Sequence, residues 1–193
     1  ESRLPPDPPA GTGTRNPSMS DRHVGVIGLG AMGLGIACTL RQRGYRVRAC
    51  DARAGVAAAF AAEGGVACTT PAEVANGVRV VVSVVVNAAQ TEQVLFGSDG
   101  AAAAMAPGSV FVMCSTVDPN WSMALEARLA QHGILYVDGP ISGGAARAAS
   151  GQMTMMTAAT PAAYAAADAV LEDIAAKVGW HILGLTLRCA GGQ

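Results

Sequence analysis

An α/β domain with a doubly wound, mostly parallel sheet is predicted by three features of the sequence. Apolar runs of strand length alternate with amphipathic stretches of helical length, the pattern of strands joined by crossover helices. The run Val24-Gly25-Val26-Ile27 leads directly into Gly28-Leu29-Gly30-Ala31-Met32-Gly33. A second short run, Arg46-Val47-Arg48-Ala49-Cys50, ends in Asp51, which lies 18 residues past Gly33 and 23 past Gly28.

The elements follow in order. A first strand ends at Ile27, the glycine turn opens a helix over 31–43, and the second strand ends at Cys50. A helix over 54–63 and a short strand over 66–68 come next. Thr70-Pro71 then starts another helix, with a hydroxyl cap followed by proline in the first turn. The β-branched run 79–86 reads as a strand buried on both faces. A helix over 88–96 runs into the turn Gly97-Ser98-Asp99-Gly100, and Pro107-Gly108 introduces a strand over 109–114. Asp118-Pro119 caps a helix that reaches His132 and is stopped by Gly133. A strand over 134–137 leads to the turn Asp138-Gly139-Pro140, 152–157 alternates like a strand, 161–177 like a helix, and 180–183 reads as a last short strand.

Composition bounds the function. The 193 residues hold one domain of ordinary size plus tails. With 51% apolar and only 4% aromatic residues, alanine and valine must fill most of the core. A net charge of −1 argues against a nucleic-acid or anionic-membrane surface, and Arg41, Arg43, Arg46 and Arg48 read as a solvated face. Apolar runs such as 80–86 are too short to span a bilayer. Five cysteines (Cys38, Cys50, Cys68, Cys114, Cys189) form no C-x-x-C pair and read as small buried hydrophobes in a reducing, cytoplasmic setting. His23, His132 and His181 have no metal-ligand spacing.

The ends differ from the middle. Residues 1–20 are rich in Pro, Gly and Ser, lack a signal-peptide core, and are expected to be a disordered tail. Met19 is read as the natural start, with the preceding residues as upstream read-through or appended sequence. The domain is expected over 21–184, and 185–193 as an aberrant or disordered tail.

The glycine turn carries the first functional expectation. Gly28 makes the tight turn, Gly30 lets the backbone approach a pyrophosphate, and Gly33 lets helix and strand pack closely. The free N–H groups and positive dipole end of the helix then hold the phosphates, as in a Rossmann-type nucleotide domain. An acid at the place of Asp51 accepts hydrogen bonds from a ribose diol and repels a 2′-phosphate, so NAD is expected ahead of NADP. Arg53, two residues on, works against that preference, since an arginine there can accommodate the phosphate. The competing reading is an ordinary Gly-rich strand–helix turn.

Ligands of such sheets bind outside the carboxyl ends of the strands. Gly28 to Gly33, Asp51, Asn87, Ser115, Thr116 and Ser142-Gly143-Gly144 all follow strand ends and share that edge. His23 and His132 precede strands and belong to the opposite edge, so neither is a catalytic candidate. A hydroxyl followed by two glycines presents unobstructed N–H donors suited to a carboxylate, although an ordinary glycine loop is an equal alternative on spacing alone.

The series GLGAMG, Asp51, Val85-Val86-Asn87, Ser115-Thr116 and DGPISGG resembles the β-hydroxyacid dehydrogenase family, over roughly residues 24–180. Residues 140–157 are most similar to its L-threonate branch. The resemblance implies an NAD-dependent oxidoreductase acting on the CH–OH group of a small hydroxy acid of L-threonate or 3-hydroxyisobutyrate type. It places the pyrophosphate on Gly28, Leu29, Gly30, Ala31, Met32 and Gly33, and the ribose on Asp51. Val85, Val86 and Asn87 would line the cofactor trough, with Thr116 on the nicotinamide side. Ser142, Gly143 and Gly144 match its substrate-carboxylate loop. Val86 departs from the pattern, since many relatives carry proline before the asparagine.

Hydride transfer from an alcohol needs a group to take the proton. In the resembled family this is a lysine in a K-x-x-N-[NQ] setting, which has no match here. The only lysine, Lys177, is expected on the helix before Gly179-Trp180 as a solvated cation. No residue is therefore assigned as catalytic. After Gly184 the resemblance stops, where relatives continue into a helical second domain that supplies homo-oligomer contacts. A truncated or frameshifted product is the expectation, with a non-catalytic NAD(P)-binding or interaction module as the alternative reading.

Overall fold

In a computed structural model of the protein, the described residues are 22–182. The tail expectations for 1–20 and 185–193, and the end of the last strand at Leu183, lie outside them. The elements are β1 (His23–Ile27), α1 (Ala31–Gln42), β2 (Arg46–Cys50), α2 (Val56–Ala62), β3 (Val66–Ala67), α3 (Pro71–Ala75), β4 (Val80–Ser83) and α4 (Ala88–Phe96). They continue with a 3₁₀ turn (Ala101–Ala103), β5 (Val110–Met113), α5 (Pro119–Gln131), β6 (Leu135–Asp138), β7 (Ile141–Ser142), α6 (Gly144–Ala149), β8 (Met153–Ala159), α7 (Pro161–Ile174) and β9 (Ala175–Ile182).

The sheet order is β3-β2-β1-β4-β5-β6-β8-β7, with β9 pairing β8. β3 through β6 are parallel, β8 runs antiparallel to β6 and β7, and β9 is parallel to β8. The central strands β4 and β5 are buried along their whole length because both faces are covered. On β4, Val80 and Val82 face the cluster holding Leu40, Ala167 and Leu171, whereas Val81 faces the cluster holding Phe111, Leu125 and Tyr136. The order reverses between β1 and β4, and the Gly28 turn opens at that switch point.

Several boundaries depart from the sequence expectation. The run 79–86 forms a strand only over Val80–Ser83, because its partners end level with it at Ile27 and Met113. The Val84 N–H still donates to the Ile27 carbonyl at 2.8 Å, after which the chain leaves the ladder. The helix expected over 161–177 stops at Ile174, where Ala175 turns extended (φ −131°, ψ 134°) to enter β9. Lys177 is therefore on a strand, opposite Thr154, and not on a helix. Thr154 is in turn opposite Ser142, so Lys177 sits in the row that reaches the carboxyl edge. The helix expected over 54–63 is confined to Val56–Ala62, preceded by Gly55 at φ +81°. β7, α6 and the 3₁₀ turn have no sequence expectation behind them. The six-residue α6 is too short for a periodic signal and is held by packing: Thr39 Oγ1 on α1 donates to the Ala148 carbonyl at 2.8 Å.

Candidate functional site

Two glycines shape the turn by close approach. A Cβ on Gly33 would lie 1.9 Å from the Gly28 carbonyl oxygen, and one on Gly28, at φ +90°, would lie 2.5 Å from the Val84 carbonyl oxygen. Gly30 is different: a Cβ there meets nothing within 4 Å and projects into open space. Gly30 is the N-cap of α1, with no side-chain cap and no acid in the first turn. The first N–H groups of α1 therefore keep their positive end unneutralised, where an anion is favoured.

Asp51 is tied to this turn. The Leu29 N–H donates to Asp51 Oδ2 at 2.7 Å, and Arg53 donates to Oδ1 through its own N–H and through Nε, each at 2.9 Å. Arg53 Nη2 also reaches the Leu29 carbonyl at 3.0 Å. The hydrogen bond from the Arg53 side chain is the main reason the Asp51 carboxyl lies below the usual carboxylate range. Beneath it, burial pushes the Cys50 thiol up to about 12, so Cys50 is an uncharged part of the floor.

A cleft of about 670 Å³ lies over this assembly. Gly28, Gly30, Asp51 and Arg53 form one side, Val84, Val85 and Val86 another, and Thr69, Thr70, Pro71, Gln90, Gln93, Val94, Ser98 and Asp99 the far wall. The loop 84–86 is fixed from two directions. Ser115 Oγ donates to the Val85 carbonyl at 2.6 Å, and the Val86 N–H donates to Gln90 Oε1 at 2.8 Å. Val86 itself is 79% exposed at the mouth.

The remaining expected residues fall in different places. Ala31 is exposed at the start of α1, Met32 packs on the core, and Leu29 is buried, so each contributes backbone more than side chain. The Asn87 side chain caps α4, accepting from the Gln90 N–H at 2.9 Å. Thr116 is exposed past β5 and outside the walls of the cleft. Ser142 ends β7, Gly143 caps α6 and Gly144 opens it; all three are exposed, with Gly143 at φ +127° and Gly144 at φ +75°. Arg147 lies against Gly143, where its Cδ would be 2.8 Å from an added Cβ. His23 opens β1, and His132, the C-cap of α5, has its ring 6.2 Å from that of Phe96.

Sequence reasoning did not find the polar wall at Thr69, Gln90 and Gln93. It also did not find the Ser115 tie to the loop or Arg147 at Gly143. The Thr70-Pro71 and Asn87 caps were legible as helix starts, and two helix starts facing one strand end carry the only signal for that wall.

Comparison with known proteins agrees with this fold. The family described as the NAD binding domain of 6-phosphogluconate dehydrogenase matches residues 23–184. The chain belongs to this family, the nucleotide-binding domain of the β-hydroxyacid dehydrogenases. The L-threonate dehydrogenase of Cupriavidus necator is 55% identical over 157 residues, covering 81% of this chain and 53% of that protein. A 3-hydroxyisobutyrate dehydrogenase from Salmonella typhimurium superposes with a TM-score of 0.80 at 37% identity, covering 84% of this chain and 56% of the other. Psf3, solved with NADP+ and 2-OPP, superposes with a TM-score of 0.78 at 27% identity, covering 83% and 57%. The chain spans about half the length of the curated relatives it matches. No helix among the described residues is long and apolar enough to cross a membrane, and they hold no cluster of three or more metal-ligating side chains.

Proposed function

We propose that this chain binds NAD in the cleft between the Gly28–Gly33 turn and the 84–86 loop, as the cofactor domain of a small hydroxy-acid dehydrogenase of L-threonate or 3-hydroxyisobutyrate type. The observation that carries the reading is the hydrogen bond from Leu29 N–H to Asp51 Oδ2, which sets a ribose acceptor beside an open helix N-terminus. The backbone at Gly30 and the first turn of α1 take the pyrophosphate. Asp51 takes the ribose diol and disfavours a 2′-phosphate, Val85, Val86 and Asn87 line the trough, and Thr116 stands on the nicotinamide side. When bound, NAD supplies the hydride acceptor, while the apolar loop 84–86 keeps water from one side of it.

Ser142, Gly143 and Gly144 take the substrate carboxylate, helped by the adjacent Arg147 cation. The substrate assignment rests on the 55% identity to an L-threonate dehydrogenase. A cytoplasmic setting accords with Cys38, Cys50, Cys68 and Cys114 all being free thiols. Homo-oligomers are proposed for full-length relatives, through a helical second domain.

A second reading is that the chain alone binds NAD(P) without turnover. The site residues described include no base placed by hydrogen bonding toward the cleft, and this favours the non-catalytic module for the isolated chain. Calorimetric titration with NAD and NADP tests the cofactor reading: saturable binding with NAD tighter supports it, and equal or tighter NADP binding overturns the preference for NAD.

A further inference from the structure

Two of the free thiols are strand neighbours. β2 and β3 pair in parallel, Arg48 with Val66 and Ala49 with Ala67. The Cys68 N–H then donates to the Ala49 carbonyl at 2.8 Å, so the ladder runs one step past β3 and sets Cys68 opposite Cys50. Neighbouring strands lie about 4.8 Å apart, inside the span of about 4.4 to 6.8 Å that a disulfide bridges between Cα atoms. The two side chains also share a face of the sheet, since Cys50 and Cys68 pack in one cluster with Ile27, Val74 and Val78. The other described cysteines belong to the opposite cluster, Cys114 within it and Cys38 packed against it from α1. Among the described cysteines, register and face together single out Cys50 and Cys68 as the pair that can join.

The surroundings give the pair a way in and an order of attack. Cys50 lines the cleft, as does Thr69, the residue after Cys68. Burial pushes the Cys50 thiol up to about 12 and raises Cys68 as well, but at Cys68 the charge and hydrogen bond of the Arg48 guanidinium oppose the rise. Arg48 is held there by donating to the Glu73 carbonyl through Nε at 3.0 Å and Nη2 at 2.7 Å. The thiolate is the reactive form of cysteine, so Cys68, with a cation beside it, is the sulfur that attacks first.

We propose that Cys50 and Cys68 form a redox-active dithiol at the floor of the cleft, a modification site that a peroxide closes into a disulfide. The Cys68 sulfur attacks one peroxide oxygen and the O–O bond breaks. The other oxygen leaves as water with the Cys68 proton, and Cys68 becomes a sulfenic acid. The Cys50 sulfur then attacks the Cys68 sulfur, the S–O bond breaks, and the hydroxyl leaves as a second water with the Cys50 proton. The two sulfurs lose one electron pair in all, and the peroxide takes it. A dithiol reduces the bridge again by exchange. The site is independent of what the cleft binds.

The test treats the whole reduced chain with excess hydrogen peroxide in mildly alkaline buffer. The remaining thiols are alkylated, and a non-reduced digest is mapped by mass spectrometry. A Cys50–Cys68 linked peptide is expected as the main bridged product, with Cys38 and Cys114 alkylated, and dithiothreitol should abolish the link. Circular dichroism of the oxidised chain should show the fold retained. Cys50→Ser and Cys68→Ser should each lose the link, with Cys50→Ser stopping at oxidised Cys68. The wild-type map decides the matter even where a variant does not fold. A folded chain that forms no Cys50–Cys68 link overturns the proposal, as does bridging mainly between other pairs, Cys189 included, or a link that appears only once the chain has unfolded.

Discussion

The main-chain N–H of Leu29 lies 2.7 Å from Asp51 Oδ2, joining the glycine turn to an acid 22 residues further on. Register makes this contact possible. β1 and β2 pair from His23 with Arg46 to Ile27 with Cys50, so both strands end level and the next residues meet above the sheet. The Gly28 N–H continues the ladder by donating to the Cys50 carbonyl at 2.9 Å. The turn and Asp51 are thus joined in advance of any ligand, with the Arg53 guanidinium seated on the carboxylate that the proposed ribose would use.

Gly30→Val is expected to remove dinucleotide binding and keep the fold. The added side chain enters open space, so nothing in the protein is displaced, but it fills the approach to the first turn of α1. Valine is a poor N-cap, and the stability cost is expected to be about 1 kcal/mol. The affinity for NAD should fall by about 100-fold or more, equivalent to roughly 2.7 kcal/mol. Calorimetry alongside a thermal melt checks both parts. Normal binding, or an unfolded variant, contradicts the assignment of Gly30 to the pyrophosphate.

Gly33→Ala should do the reverse and damage the fold itself. Its Cβ would stand 1.9 Å from the Gly28 carbonyl oxygen, a main-chain atom that cannot move without opening the turn. A loss of at least about 2 kcal/mol is expected, read as a fall in Tm of roughly 5 °C or more. A melt unchanged from wild type would show that α1 and β1 do not pack as closely as described.

The contrast between these two glycines marks how far the sequence could be read. Spacing alone marks Gly28 as the turn and Gly33 as the point of close packing, because a strand, a turn and a helix in that order leave few ways to place them. The sheet core was legible for the same reason, in apolar runs such as Val80 to Val82 and Val110 to Met113. The end of that strand was not legible, since Val84, Val85 and Val86 are as apolar as the strand itself and only the lengths of β1 and β5 cut it short. Lys177 was misplaced on a helix because alanine-rich sequence carries helical propensity across Ala175 and Ala176. Pairing with β8 overrides that propensity. The far wall of the cleft was missed because Thr69, Gln90 and Gln93 converge only through the fold.

Asp138 gives a pH-dependent prediction. It is partly buried at the end of β6, where burial raises its carboxyl above the ordinary 3.8, opposed by the hydrogen bond from Ser122 Oγ at 2.7 Å. The folded chain therefore holds this proton more tightly than the unfolded chain. Its stabilising effect is complete below the unfolded value and is lost as pH rises through the folded one. Asp138→Asn is expected to remove that downward slope, so its stability relative to wild type should rise from pH 4 to pH 7. The gain should be no more than about 1 kcal/mol, because Asp138 is partly solvated. Urea melts of both proteins across this range check it, and the difference curve cancels Glu126, which burial shifts the same way. A flat difference would show that Asp138 does not titrate above its ordinary value.

The isolated chain is expected to form no appreciable NADH with L-threonate or 3-hydroxyisobutyrate. His23 begins β1 at the amino edge, and His132 ends α5 with its ring near Phe96, so neither reaches the carboxyl edge. Lys177 is the group that makes this prediction worth testing. It lies in the row Ser142, Thr154, Lys177, two strand spacings from the proposed carboxylate loop, or roughly 10 Å between backbones. Its side chain is exposed, and no described hydrogen bond aims it toward the cleft under Gly30 and Val85. Lack of a placed proton acceptor typically removes a factor of roughly 10² to 10⁴ in rate. Wild type and Lys177→Ala, assayed in parallel at saturating NAD, should be equally inactive. Robust wild-type turnover that Lys177→Ala abolishes would make this strand lysine the proton acceptor and overturn the non-catalytic reading of the isolated chain.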